Sequence, residues 1–156
     1  MHEYVKHLEA LTTEEKTLYA ARCVEEYCAS SGISHSYIDR FLEHLRSIHS
    51  CDSLEEWLDV ELDFVGELEE VPPELDAVIP EEYKKDLYRI AADAWWVGGC
   101  DICAASSNMP MEFLARIVSI MKKNRMPFPP IDPVRTGKPT RFDRPAPKRR
   151  TGKGRR

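Results

Sequence analysis

The run Cys100-Asp101-Ile102-Cys103 sets two thiols at the spacing of half a zinc knuckle or of a redox pair. A structural zinc takes four Cys or His ligands, and His49 and Cys51, in His-Ser-Cys, are the residues that could complete the set. A redox pair wants a strand leading into the motif and a helix starting at it. The residues before it, AADAWWVGG, read as helix instead. If that helix continues, Trp96, Cys100 and Cys103 share a face on which small thiols pack, and this is the expected role of the pair. Zinc is the alternative; no other cofactor is indicated. Cys23 and Cys28 are five residues apart, a spacing that a helix separates, and are expected to be inert.

Carboxylates form a second constellation. Residues 59–76, DVELDFVGELEEVPPELD, hold eight acids and no cation, and no Lys or Arg occurs from Ser47 to Tyr83. Asp52, Glu56, Asp59 and Asp63 recur at spacings of 4, 3 and 4, which is one face of a helix, and Glu67, Glu69 and Glu70 carry the charge onward. Like charges in such a row cost stability. The row is either a solvated face that keeps the chain soluble or a docking surface for a cationic protein. No calcium-loop spacing is present. Glu61 falls among Leu54, Trp57 and Val65 on the apolar side, so either the helix bends near Val60 or a cation from another helix meets it.

The opposite charge gathers at the C-terminus. Residues 127–156 contain ten Lys and Arg against two acids, whereas residues 1–126 contain twelve against twenty-five. The net charge of −5 hides this separation. Lys148, Arg149, Arg150, Lys153, Arg155 and Arg156 could bind a polyanion through counterion release, without reading sequence. The same tail could instead fold back onto the acidic face. Pro-Pro-Ile-Asp-Pro-Val-Arg fits a proline-rich ligand pattern, although prolines after a helix are common. Catalytic signatures are missing: Thr-Gly-Lys-Pro-Thr lacks the glycine and flanking elements of a phosphate loop, and no Gly-x-Ser-x-Gly or His-Glu-x-x-His occurs.

These residues must be placed by helices. A first helix is expected over about residues 2–10; Thr12 with Glu15 then makes a capping box that opens a second, and Ser30-Ser31-Gly32 closes it. Ser34 is expected to cap the next, whose stripe of Tyr37, Ile38, Phe41, Leu42, Leu45 and Ile48 is the cleanest in the chain. Ser53 with Glu56 opens a fourth, followed by an acidic linker and one turn near 74–78. Pro80 suits the first turn of a fifth, with Leu87, Ile90, Ala91, Ala94 and Trp95 facing inward. It either ends at Gly98-Gly99 or runs on to Ala105. Ala94, Gly98, Ile102 and Ala105 then line one side with mostly small residues, which suits close packing inside the chain or self-association. Pro110 opens a last helix carrying Leu114, Ile117, Val118 and Met121.

The expected fold is all-α: one bundle of five to six helices over 1–126, with a disordered, basic, proline-rich tail over 127–156. The first residues lack an apolar signal segment and no stretch is long enough to span a bilayer. With an odd number of irregularly spaced cysteines, this points to the cytoplasm and reduced thiols. The expected function is non-enzymatic: an interaction module whose acidic face covers a basic protein, as an immunity-type inhibitor or an adaptor would. The alternatives are a nucleic-acid-associated protein anchored by its tail, and a zinc- or thiol-dependent one.

Overall fold

The computed structural model describes residues 2–65, 71–99 and 108–132. Helix α1 spans His2–Glu9, and Thr12 opens α2 (Thr13–Ser31) through the expected reciprocal cap. Thr12 Oγ1 accepts the Glu15 N–H at 3.1 Å, and the Glu15 carboxylate accepts the Thr12 N–H at 2.9 Å. Two donors that a helix start leaves over are thereby satisfied. At the other end Gly32 turns left-handed (φ 72°), and the Ile33 N–H donates to the Cys28 carbonyl at 2.9 Å.

Helix α3 covers Ser36–Arg46 and runs into a 3-10 turn at Ser47–His49. Its cap is His35, one residue later than Ser34, because the His35 Nδ1 accepts the Tyr37 N–H at 3.1 Å. Helix α4 is only Leu54–Asp59; Ser53 Oγ accepts the Glu56 N–H, and Val60 is already extended (φ −68°, ψ 127°). A single turn, α5 (Pro73–Asp76), precedes α6 (Glu81–Gly99), with Pro80 just ahead of the first helical residue. Helix α7 is Met109–Lys123. Among the described residues there are seven α-helices, two of them short, and no strand. None is long and apolar enough to cross a membrane.

The centre is built from α2, α6 and α7. Tyr19, Ala20, Val24 and Tyr27 of α2 are completely buried, as are Leu87, Ile90, Ala91 and Ala94 of α6 and Leu114, Ile117 and Met121 of α7. Each large apolar side chain removed from water here contributes about 2 kcal/mol. The most buried carboxylate among the described residues, Asp93 of α6, 2% exposed, receives Arg116 of α7 in two hydrogen bonds of 2.6 and 3.0 Å. A buried charge survives only when paired in this way.

Gly98 sets how closely α6 approaches its neighbours. A Cβ there would lie 2.8 Å from Ile48 Cδ1, 3.0 Å from Thr17 Oγ1 and 3.3 Å from Trp57 Cη2. The small residues Ala94 and Gly98 are therefore used within the chain. Ile102, Ala105 and the question of whether the helix continues past Gly99 lie outside the described residues.

The body ends later than composition suggests. Phe128 stacks on Tyr4 with ring centroids 5.0 Å apart, Pro129 is buried, and its carbonyl accepts the Tyr19 hydroxyl at 2.8 Å. Proline cannot donate a backbone hydrogen bond, yet its carbonyl and ring can still be packed. Pro127–Asp132 therefore belongs with the helices rather than with a tail, and the remaining tail lies outside the described residues.

Candidate functional site

The acidic segment departs from a helical stripe. Because α4 stops at Asp59, the spacing of 4, 3 and 4 places Asp52, Glu56, Asp59 and Asp63 on one helix face only in part. Asp52 precedes the cap, Glu56 lies in the first turn, Asp59 is the last helical residue, and Asp63 lies in the irregular chain beyond. All four are solvent-exposed. The apolar side expected for Glu61 ends with the helix, so Glu61 is exposed too. Helix α4 has acids at Glu55, Glu56 and Asp59 and no basic residue in its last turn, which limits how far it propagates.

The acids also differ in what they meet. Asp63 forms an ion pair with Arg40 of α3. Glu74 accepts the Tyr37 hydroxyl at 2.7 Å, a bond that holds its carboxyl below the ordinary range. Asp76 accepts Tyr88 at 2.6 Å and Lys84 at 3.0 Å, and these two bonds lower its pKa. Glu55, Glu56, Asp59 and Glu61 are exposed and form no ion pair with any described residue. Among the described residues no cation compensates their charge. Glu67, Glu69 and Glu70 lie outside the described residues, as do Lys148, Arg149, Arg150, Lys153, Arg155 and Arg156.

Behind this surface is an aromatic stack that periodicity alone did not single out. Trp57, 1% exposed, is the one buried residue of α4. Its ring lies against His44 of α3 (centroids 4.7 Å apart) and Trp95 of α6 (5.0 Å), and His44 also stacks on Trp95 at 5.3 Å. The Trp57 Nε1–H donates to the His44 carbonyl oxygen at 2.9 Å. His44 is 9% exposed and its Nε2 has no hydrogen-bond partner among the described residues. Burial pushes its pKa down, against a backbone interaction at Trp57 that favours the proton, so the ring is neutral near pH 7. The signal was present in the sequence: His44 stands three residues after Phe41 and four before Ile48, on the inward stripe of α3.

His44, Trp57 and Val60 line a surface pocket of about 270 Å³ together with Cys51, Asp52 and Glu56. A larger pocket of about 500 Å³ lies between α1 and α7, but Glu9, Lys16 and Glu112 give its wall both signs of charge and select no ligand class. The proposed zinc set is not assembled among the described residues. The His49 Nδ1 is 2.6 Å from the Arg46 carbonyl oxygen and Cys51 Sγ donates to the Ile48 carbonyl, while Cys100 and Cys103 lie outside the described residues. No group of three or more His, Cys, Asp or Glu suited to a metal occurs among those residues. Cys23 and Cys28 are buried, and burial raises both thiol pKa values, that of Cys28 to about 12; neither is a nucleophile at neutral pH. No family model, curated protein or solved structure matches this chain.

Proposed function

We propose that the protein acts by binding, with the segment from Asp52 to Glu61 docking on a cationic protein surface, as an immunity-type inhibitor or an adaptor does. One observation carries this reading. Glu55, Glu56, Asp59 and Glu61 point outward without an ion-pair partner among the described residues, while Asp63, Glu74 and Asp76 nearby are each engaged internally. Unneutralised neighbouring acids work against folding, and a basic partner would relieve that cost while steering encounter.

The test uses the full chain as bait. Reversing Glu55, Glu56, Asp59 and Glu61 to lysine should abolish capture of a basic protein, whereas reversing the exposed Glu3, Glu43, Glu82 and Glu112 should not. Equal loss in both variants would reduce the segment to its contribution to net charge. Recovery of nucleic acid that survives the first reversal and disappears when the C-terminal cations are removed would favour the tail-anchored reading instead.

A further inference from the structure

The cap of α3 can be made by only one form of its side chain. The Tyr37 N–H donates to His35 Nδ1 at 3.1 Å, so that nitrogen carries a lone pair and the ring is neutral, with its proton on Nε2. Ser34, the residue before, has the hydroxyl oxygen that caps at any pH, yet the helix uses the imidazole. His35 is only half-buried, so protons from water reach it. The cap is also the first link of a cluster. The His35 ring lies against the Tyr37 ring, with centroids 4.7 Å apart, and the Tyr37 hydroxyl donates to Glu74 of α5 at 2.7 Å. The Arg40 guanidinium sits 5.4 Å over the Tyr37 ring and pairs with Asp63. The charged groups around His35 are thus Glu74 from α5 and, from α3 itself, Arg40 and Asp39, which stands one turn on. Glu74 is held below the ordinary carboxylate range chiefly by the Tyr37 hydroxyl, with a further contribution from positive charge on His35, so it stays ionised in mild acid.

We propose that this cluster is an acid-operated clasp: protonation of His35 opens the cap of α3, and the imidazolium takes Glu74 in place of the Tyr37 hydroxyl. Histidine is the side chain that ordinarily changes charge between about pH 5 and 8. Once protonated, Nδ1 turns a donor toward the Tyr37 donor, and the new charge sits at the positive end of the helix. Both effects drive the ring off the cap. Glu74 then offers the nearest uncompensated acceptor, because its neutral-pH partner is a hydroxyl and not a cation. Arg40 opposes the change by like charge, although Asp63 already draws its guanidinium. Leu75 is fully buried and Ile79 nearly so, and they keep α5 in place. The clasp therefore exchanges partners without releasing the helix.

The test is amide hydrogen exchange at Tyr37 in the uniformly 15N-labelled full chain, corrected for intrinsic exchange, from about pH 7.5 to about pH 5. Protection should fall about fivefold across that range, the bias that one cap of ordinary strength supplies. The His35 ring nitrogens should report protonation of Nδ1 over the same interval. His35→Ser keeps a capping oxygen that does not titrate, so its Tyr37 protection should stay level; His35→Ala should be weakly protected throughout. His44→Phe, which removes the titrating histidine of the core, should leave the Tyr37 change as in the wild type. Glu74→Gln, at an exposed position, takes away the carboxylate that receives the imidazolium and should move the transition to lower pH. Level protection in the wild type, or the same fall in His35→Ser, would overturn the clasp. A transition that disappears with His44→Phe, or that Glu74→Gln leaves unmoved, would overturn it as well.

Discussion

Helix α6 buries Leu87, Ile90, Ala91, Ala94 and Val97 against α2 and α7, whereas the segment from Cys51 to Val65 buries only Trp57 and Phe64. The carboxylate that α6 buries, Asp93, is held by a two-point arginine pair. The second region exposes six acids, Asp52, Glu55, Glu56, Asp59, Glu61 and Asp63, with no cation of its own. Packing holds the first region; the second is fastened to it through two aromatic anchors. Trp57 reaches His44 and Trp95, and Phe64 meets Phe41 at 5.5 Å and Tyr88 at 6.0 Å. Stability and exposed charge are thus kept apart, so the acidic surface can change with little effect on the fold.

The largest expected contrast follows from that separation. Ile90→Ala should cost about 3 to 4 kcal/mol in urea unfolding, since it opens a cavity among fully buried neighbours. Glu61→Lys should stay within about 0.5 kcal/mol, because nothing in the fold depends on that carboxylate. Similar losses for the two would show that the acidic segment carries structure. Gly98→Ala tests the junction between the regions. Helix propensity alone favours alanine by about 1 kcal/mol, but the added methyl meets Ile48, Thr17 and Trp57. Crowding in a packed core costs about 1 to 3 kcal/mol, so the net change should be a loss, with a weaker near-UV signal from the tryptophans.

A smaller effect, confined to acid, should come from His44. Its folded-state pKa lies below the ordinary 6.5, so the unfolded chain takes up a proton that the folded chain refuses. Stability from this group is complete above about pH 6.5 and is lost as pH falls toward the folded-state value. His44→Phe keeps a ring in the stack and removes the titration. The drop in stability between about pH 7 and 5 should therefore be shallower in the variant, by unfolding at each pH. An identical drop would mean that His44 is not the group that senses acid. The smallest change concerns two helix ends with the same closing pattern. Gly32 and Arg125 both adopt left-handed backbone (φ 72° and 57°), and Met126 N–H closes α7 on Met121 as Ile33 closes α2 on Cys28. Only glycine does so without a side-chain penalty. Arg125→Gly should stabilise by about 0.5 to 1 kcal/mol, and Gly32→Ala, which meets no neighbour, should destabilise by about 1 kcal/mol through backbone strain alone.

Local chemistry was sufficient for most of the helices. The Thr12–Glu15 box, the stop at Gly32 and the inward faces of α3, α6 and α7 are where spacing and capping residues place them. These features depend on neighbours three or four residues away, which a linear reading contains. Tertiary structure decided the rest. It gave Asp63 to Arg40, and packed Phe128 and Pro129 onto Tyr4 and Tyr19. It also brought His44, Trp57 and Trp95 into one stack from three separate helices. Which acids are neutralised, and which histidine is buried without a partner, depends on groups distant in sequence. Charge and burial are properties of surroundings, and only the folded chain supplies them.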